Sequence, residues 1–384
     1  MSLASAIQTG DVSLLPSRRD EDWRWTDLRA LIRQMPPPSP AAEVVQAGGP
    51  FAGLSKAELV LANGRMNWWP EKTVAGVRFH EHDSPENPYE GRLPMAAWAA
   101  AESADPRVSI LEFTRDATAL VRFQSASQGT SHHDRLGVMV KAGVAAVLLE
   151  SHEAEADGYL ANRLIEVFLE EGASLERIVV SAEAPGAVAV TTAIVDLKAA
   201  SHYAQTVLTS GARRQRIETH VAHPGQGATV RLDGAYLLQD QRHADTTSVV
   251  KHTGLGGVTS QLTKGVVDGQ ARGVFQGRIV VERGADQTDA RMGHHALILS
   301  DKAEIDAKPE LLIFADDVQC AHGNTVGALD ENALFYAQQR GMPFETARAL
   351  LTQAFVGEVV DRIEHEGARA VAAAWVAEQL GRAD

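Results

Sequence analysis

Gly277-Arg-Ile-Val-Val-Glu-Arg-Gly-Ala-Asp-Gln-Thr-Asp-Ala-Arg-Met-Gly-His-His-Ala-Leu-Ile-Leu299 is the stretch whose reading decides the fold. Two short apolar runs, Gly277 to Val281 and Ala296 to Leu299, are split by a segment rich in Gly, Asp and Thr. β-branched residues suit a pleated surface, and glycine turns corners at positive φ. The same texture extends over roughly residues 103–325. It recurs at Val108 to Phe113, Ala119 to Phe123, Arg177 to Ser181, Val188 to Ile194, Gln205 to Leu208, Thr229 to Leu232 and Leu311 to Phe314. Sandwich, barrel and solenoid all satisfy many short strands with few helices between them. A loose recurrence of about 20 residues in the later runs favours a parallel β-helix. One helical insert is expected from Ala154 to Glu171, where Leu160, Leu164, Val167 and Phe168 fall at helical spacing.

The flanks read differently. The first hundred residues suggest helical fragments and loops, interrupted by Pro36, Pro37, Pro38 and Pro40, which lack the N–H a helix needs. Ahead of them, Ser17 to Arg29 is charged and holds Trp23 and Trp25, suiting a solvated helix over a core or a docking segment for a partner. After Thr325, Asp330 can cap a helix Glu331 to Arg340, with Gly341 at its end. A second helix after Pro343 carries Leu351, Phe355, Val359 and Ile363 at i, i+4, with Leu350 and Ala354 beside them. A third is expected from Ala368 to Leu380.

Composition excludes several functions. A length of 384 residues is enough for two or three subdomains, and 45% hydrophobic with 22% charged residues is globular rather than disordered. A net charge of −14 argues against nucleic acid and anionic membranes, whose phosphates need clustered cations. No basic start followed by an apolar stretch marks a secretory signal, and apolar runs such as Ala142 to Leu149 are too short to span a bilayer. A cytoplasmic protein is expected. The single cysteine rules out an internal disulfide, a CxxC pair and any closed zinc site taking two thiolates from this chain.

Nucleotide and hydrolase motifs are absent: no GxxxxGK[ST], no strand–GxGxxG–helix and no GxSxG. His252-Thr-Gly-Leu-Gly-Gly-Val-Thr-Ser lacks the lysine of a phosphate loop and reads as a turn between strands. Among fourteen histidines, His132–His133 and His294–His295 are adjacent, so in a strand each pair points to opposite faces and cannot chelate one ion. His220 and His223 lie three apart, and no HExxH occurs.

The informative stretch is Pro309-Glu-Leu-Leu-Ile-Phe-Ala-Asp-Asp-Val-Gln-Cys-Ala-His-Gly-Asn-Thr-Val-Gly327. In an extended chain Cys320 and His322 point the same way. They suit a nucleophile–base pair or two metal ligands; a buried cysteine beside a chance histidine is the bland alternative. As ligands they fall short of the three or four donors a cluster or closed site takes, which suggests a site completed by another subunit or filled only transiently.

At these residues the sequence resembles the SufB/SufD family of iron–sulfur cluster assembly proteins. The resemblance is carried by His243-x-Asp245-Thr-Thr-Ser-Val-Val-Lys-His252, Ser260-x5-Val-Val-Asp268, Phe275-x-Gly-Arg-Ile-Val-Val and Ala285-Asp-Gln-Thr-Asp-Ala. It continues in Ala315-Asp-Asp-Val-x-Cys-x-His-Gly-x-Thr-Val-Gly327 and Leu329-Asp-x3-Leu-Phe-Tyr-x3-Arg-Gly341, with Arg19-Asp-Glu-Asp-Trp-Arg-Trp-Thr26 near the start. Residues about 35–105 match poorly. The resemblance implies a mainly β protein, a right-handed parallel β-helix core (105–325) flanked by N-terminal (1–104) and C-terminal (326–384) α-helical domains. It implies a non-catalytic scaffold with three contacts: SufB at the β-helix end, the ATPase SufC on the C-terminal helices, and a possible homodimer. It places Cys320 and His322 at the SufB interface, as ligands of a transient iron–sulfur cluster shared with SufB. No tightly bound cofactor is expected in the isolated chain, and a flavin is left open. SufB-type members receive the sulfur and carry further functional cysteines, so one cysteine sets this chain on the other side of the family.

Two competitors remain. A β-helix enzyme acting on polysaccharide needs a cleft of carboxylates, arginines and aromatics, whereas aromatics make up only 5%. A cysteine hydrolase would use Cys320 and His322 with a reactive thiol.

Overall fold

Period-two alternation builds this molecule. The computed structural model describes residues 3–43, 45, 48–68, 73–74, 76–83, 88–89, 91–102 and 107–381. One ten-stranded sheet runs β2 (Arg65–Trp68), β1 (Ala57–Ala62), β6 (Ala117–Ser125), β8 (Ala145–Ala154), β10 (Ser174–Ala182), β12 (His202–Thr209), β14 (Thr229–Leu238), β16 (Val258–Val267), β18 (Asp289–Ile298) and β20 (Gln319–Gly327). The facing sheet runs β19 (Glu304–Ile313), β17 (Arg272–Val281), β15 (His243–His252), β13 (Arg214–His223), β11 (Val188–Leu197), β9 (Leu160–Leu169), β7 (Ser131–Val140), β5 (Arg107–Phe113), β4 (Val77–Asp83) and β3 (Thr73–Val74).

From β5 onward consecutive strands alternate between the sheets, and each pairs in parallel with the strand two ahead. The result is a parallel β-helix of about eight turns. Odd-numbered positions of β9, β11 and β13 and their counterparts elsewhere point inward. There Ile165, Val167, Leu169, Ala193, Val195 and Val221 form one apolar column with Leu148 and Leu175. At one stacked corner no side chain fits. A Cβ at Gly225 would collide with the backbone of Gly254 and Leu255, so the run after His252 is a corner between β15 and β16 and not a phosphate cradle.

The two ends differ. Antiparallel pairs, β1 with β2 and β4 with β3 and β5, close the N-terminal end. These strands lie where helical fragments and loops are expected, because short strands broken by turn residues show no sustained period. The sequence boundary at 104/105 falls outside the described residues. At the other end β19 and β20 are the last strands of their sheets.

The helical insert expected at Ala154 to Glu171 is corrected: Leu160–Leu169 is strand β9, paired with β7 and β11. Its apolar residues do not share a face. Ile165, Val167 and Leu169 enter the interior column, while Leu164 faces outward under α3 (Pro94–Glu102), in contact with Ala96 and Ala99. A strand covered on both faces is apolar at both parities, and that mimics helical spacing.

The C-terminal helices are α4 (Glu331–Gln339), α5 (Phe344–Val360) and α6 (Glu366–Gly381). The Asp330 side chain accepts from the Asn332 and Ala333 backbone N–H groups, and Gly341 has φ +85°. Asp330→Ala should cost α4 about 1 kcal/mol, read as faster amide exchange at those two residues. The face of α5 turned to the solenoid holds Ala347, Val356, Val359 and Val360, joined by Ile363 beyond its end, while Leu350 is exposed. Of the expected stripe, Val359 and Ile363 are buried and Phe355 packs against the same cluster, while the neighbouring Leu350 and Ala354 are exposed. With Trp375 and Val376 of α6 they cover the outward-facing Leu120, Leu149, Ile178, Leu208 and Leu237. α4 has no buried residue and exposes Phe335 and Tyr336, each at 62%.

Candidate functional site

The open end holds the Cys-x-His pair. β20 pairs with β18 in the register Ala290–Cys320, Met292–His322 and His294–Asn324. Cys320, His322 and Asn324 occupy alternate positions and so share the inward side of the last strand. Cys320 is half-buried in the cluster of Phe275, Ala290, Met292 and Leu311, whereas His322 is exposed. Burial, followed by the nearby Asp289 charge, pushes the Cys320 thiol up, with hydrogen bonding at the Ala290 backbone opposing. A raised thiol pKa counts against an activated hydrolase nucleophile. No set of three His, Cys, Asp or Glu side chains converges as a metal site among the described residues. What this strand offers is one sulfur and one imidazole at the unpaired rim of a tube.

That rim is apolar. Leu312 (43%), Ile313 (41%), Phe314 (57%) and Val326 (45%) are exposed on or beside the two terminal strands. An edge strand with apolar side chains and free backbone groups is a template for another strand.

The remaining histidines pack rather than chelate. The His132 ring contacts the hydroxyls of Ser39 and Ser125, and His133 lies 4.4 Å from the Trp98 ring. His223 stacks on His252 at 4.3 Å in the corner row.

Charge buried inside the tube is the feature the sequence reading missed. Arg163 donates to Glu183 at 2.6 Å and lies 3.6 Å from Asp134. Tyr159 donates to the other Glu183 oxygen. The His152 ring is 2.8 Å from Glu150, which also accepts from Nε and one terminal nitrogen of Arg177, and the other terminal nitrogen passes the chain to Gln205. Two guanidiniums thus face three carboxyls. Burial would raise Glu150, but Arg177 and His152 outweigh it and bring it to about 2. Asp134 is the carboxyl left over. Burial, opposed by Arg163 and reinforced by the Glu183 and Glu150 charges, pushes it up to about 7, and neither of its oxygens accepts a hydrogen bond among the described residues. In sequence these residues read as surface charge; their inward parity among apolar neighbours is the signal that locates them. None of the three carboxyls is more than 2% exposed, so they are out of a polymer's reach. An open cleft at Glu155, Asp157, Pro185, Ser210, Arg242 and Gln379 has no aromatic in its lining. That cleft therefore offers a polysaccharide no stacking platform.

The segment around Trp23 straps across the outside of the second sheet. It is a single 3-10 turn, Glu21–Trp23, not the helix expected. Arg216 lies 4.2 Å under the Trp23 ring and donates to the Asp22 carbonyl at 2.7 Å, to Glu218 and to Asp245. Thr26 donates to Asp245, Arg278 pairs with Asp22 and Lys308 on β19 pairs with Glu21. Of the two readings, the Trp23 side chain follows the first: it is 5% exposed and covers a core.

The family profile described as SUF system FeS cluster assembly, SufBD core domain, matches residues 122–355. An iron–sulfur cluster assembly SufBD family protein of Synechocystis is 26% identical over 91% of this chain and 84% of its own length. The chloroplastic protein ABCI7 of Arabidopsis thaliana is 26% identical over 92% of this chain and 80% of its own. The iron–sulfur cluster assembly protein SufD of Escherichia coli is 33% identical over 41% of this chain and 37% of its own.

Proposed function

This chain belongs to the SufBD core-domain family of the SUF iron–sulfur cluster assembly system, and on that premise we propose that it is a SufD-type scaffold subunit, non-catalytic and cytoplasmic. It works with SufB and the ATPase SufC to build and release nascent clusters. The carrying observation is the open end, where an unpaired edge strand presents Cys320 and His322 short of a full ligand set. A SufB-type partner adds its strands to β19 and β20 and supplies the missing donors and the sulfide. His322 binds iron through a neutral ring nitrogen, and Cys320 contributes a thiolate. Binding stays reversible because neither chain owns the whole site. Among the described residues no helix is long and apolar enough to cross a membrane.

The three parts of the chain divide the work: 1–104 straps and caps, 105–325 carries the solenoid, and 326–384 docks the ATPase. Nucleotide hydrolysis in SufC shifts the C-terminal helices, which loosens the seam and exposes the two ligands. His322→Ala should slow cluster formation by the assembled complex at least about tenfold, the scale of losing a metal-site contact. An unchanged rate would remove His322 from the site. Deleting 330–384 would also strip the cover from the outer face of the solenoid, so the docking test is better made on α4. Phe335→Ser with Tyr336→Ser alters only exposed residues and should abolish co-purification of SufC; retention of SufC would refute docking there.

A further inference from the structure

Behind the last strand, a hydrogen-bonded chain runs outward from the tube. The Tyr236 hydroxyl lies 2.8 Å from His294 Nε2, and His294 Nδ1 lies 2.7 Å from Asn324 Oδ1. Tyr236 and His294 are fully buried, and Asn324 is exposed on β20, two residues beyond His322. The seat is purpose-shaped. A Cβ on Gly265 or Gly273 would overlap the Tyr236 ring, and Phe275 stacks flat on His294 at 4.6 Å and 3°.

The chain has a direction. An amide oxygen only accepts, so His294 Nδ1 carries the proton. Burial holds His294 neutral, lowering it to about 4. Its Nε2 is then a bare lone pair, and the Tyr236 hydroxyl donates to it. With Oδ1 turned to His294, the Asn324 amide nitrogen faces away from the wall. It is a fixed pair of N–H donors in the same inward row as Cys320 and His322. Donors aimed at sulfur stabilise and tune sulfur-bound iron.

We propose that Asn324 is a third group of this mouth, donating a hydrogen bond to the sulfur of an iron–sulfide species bound beside His322, and that Tyr236 and His294 orient it. This rests on the function proposed above and adds to it a sulfur-recognising amide and two positioning residues.

Two measurements on the full chain test it. Ring 15N shifts of His294 report its tautomer without any metal. The wild type should be protonated at Nδ1, and Asn324→Ala should move proton population to Nε2, where the Tyr236 hydroxyl can turn to accept. A wild-type ring protonated at Nε2 overturns the relay. The second measurement loads the chain with ferrous iron and inorganic sulfide and follows the rate at which a chelator strips the chromophore. Asn324→Ala removes the amide donors and should speed stripping about tenfold, as should Tyr236→Phe, while both variants keep the wild-type far-ultraviolet circular-dichroism spectrum. If both variants release iron at the wild-type rate while His322→Ala releases it faster, this inference alone falls. If His322→Ala matches the wild type, or no chromophore forms, the underlying reading falls with it.

Discussion

Arg163→Met should lower the stability of the solenoid by about 3–5 kcal/mol, the typical cost of stranding a buried carboxylate. Arg163 is fully buried and is the only guanidinium that bonds the Glu183 carboxylate among the described residues. Methionine fills most of the volume, so the loss is electrostatic rather than a cavity. Adding Glu183→Gln should recover part of it, because the second change removes the orphaned charge. Thermal unfolding of the three variants decides the matter. A single variant as stable as the wild type, or a double variant less stable than the single, would show that Glu183 finds another counter-charge.

The neighbouring substitution Asp134→Asn should act in the opposite sense. Asp134 titrates from 3.8 when unfolded to about 7 when folded. Below pH 4 both states hold the proton, and nothing is lost. Between about 4 and 7 the unfolded carboxyl ionises while the folded one keeps its proton, so stability falls as pH rises. Above 7 the loss is constant, on the order of 4 kcal/mol for a shift of about three units. Asparagine has no such linkage. Its unfolding temperature should exceed the wild type at pH 8 and approach it near pH 4.5. Parallel pH profiles for the two proteins would show that Asp134 is already ionised in the fold. One guanidinium fewer and one carboxyl fewer thus shift the same cluster in opposite directions, because the two-against-three imbalance sets the sign.

These residues also show where reading the sequence stops. The runs Val108 to Phe113 and Gly277 to Val281 are legible because one parity is β-branched and the corners hold glycine. β7 opens Ser-His-His-Asp-Arg, and β13 reads Arg-Gln-Arg-Ile-Glu-Thr-His. Both are central strands, and both lie outside every apolar run, because their inward positions are satisfied by partners on neighbouring turns. Those partners sit from 6 to 34 residues away, across a corner or a whole turn, and follow no local pattern. β9 fails for the opposite reason, being apolar on both faces. Of the site, the Cys320 and His322 pairing is local and visible at i, i+2. The bond from His294 to Asn324 spans 30 residues and exists only once the turns stack.

The strap has a consequence for how the chain matures. During synthesis each strand can pair as soon as the one two places later emerges, so the tube can grow in the order in which it is made. The bond from Glu21 to Lys308 cannot form this way, since 287 residues separate its ends. It must wait until β19 exists. Closing it is then the act that registers a finished tube, tying the earliest part of the chain to the rim just as that rim becomes available to a partner.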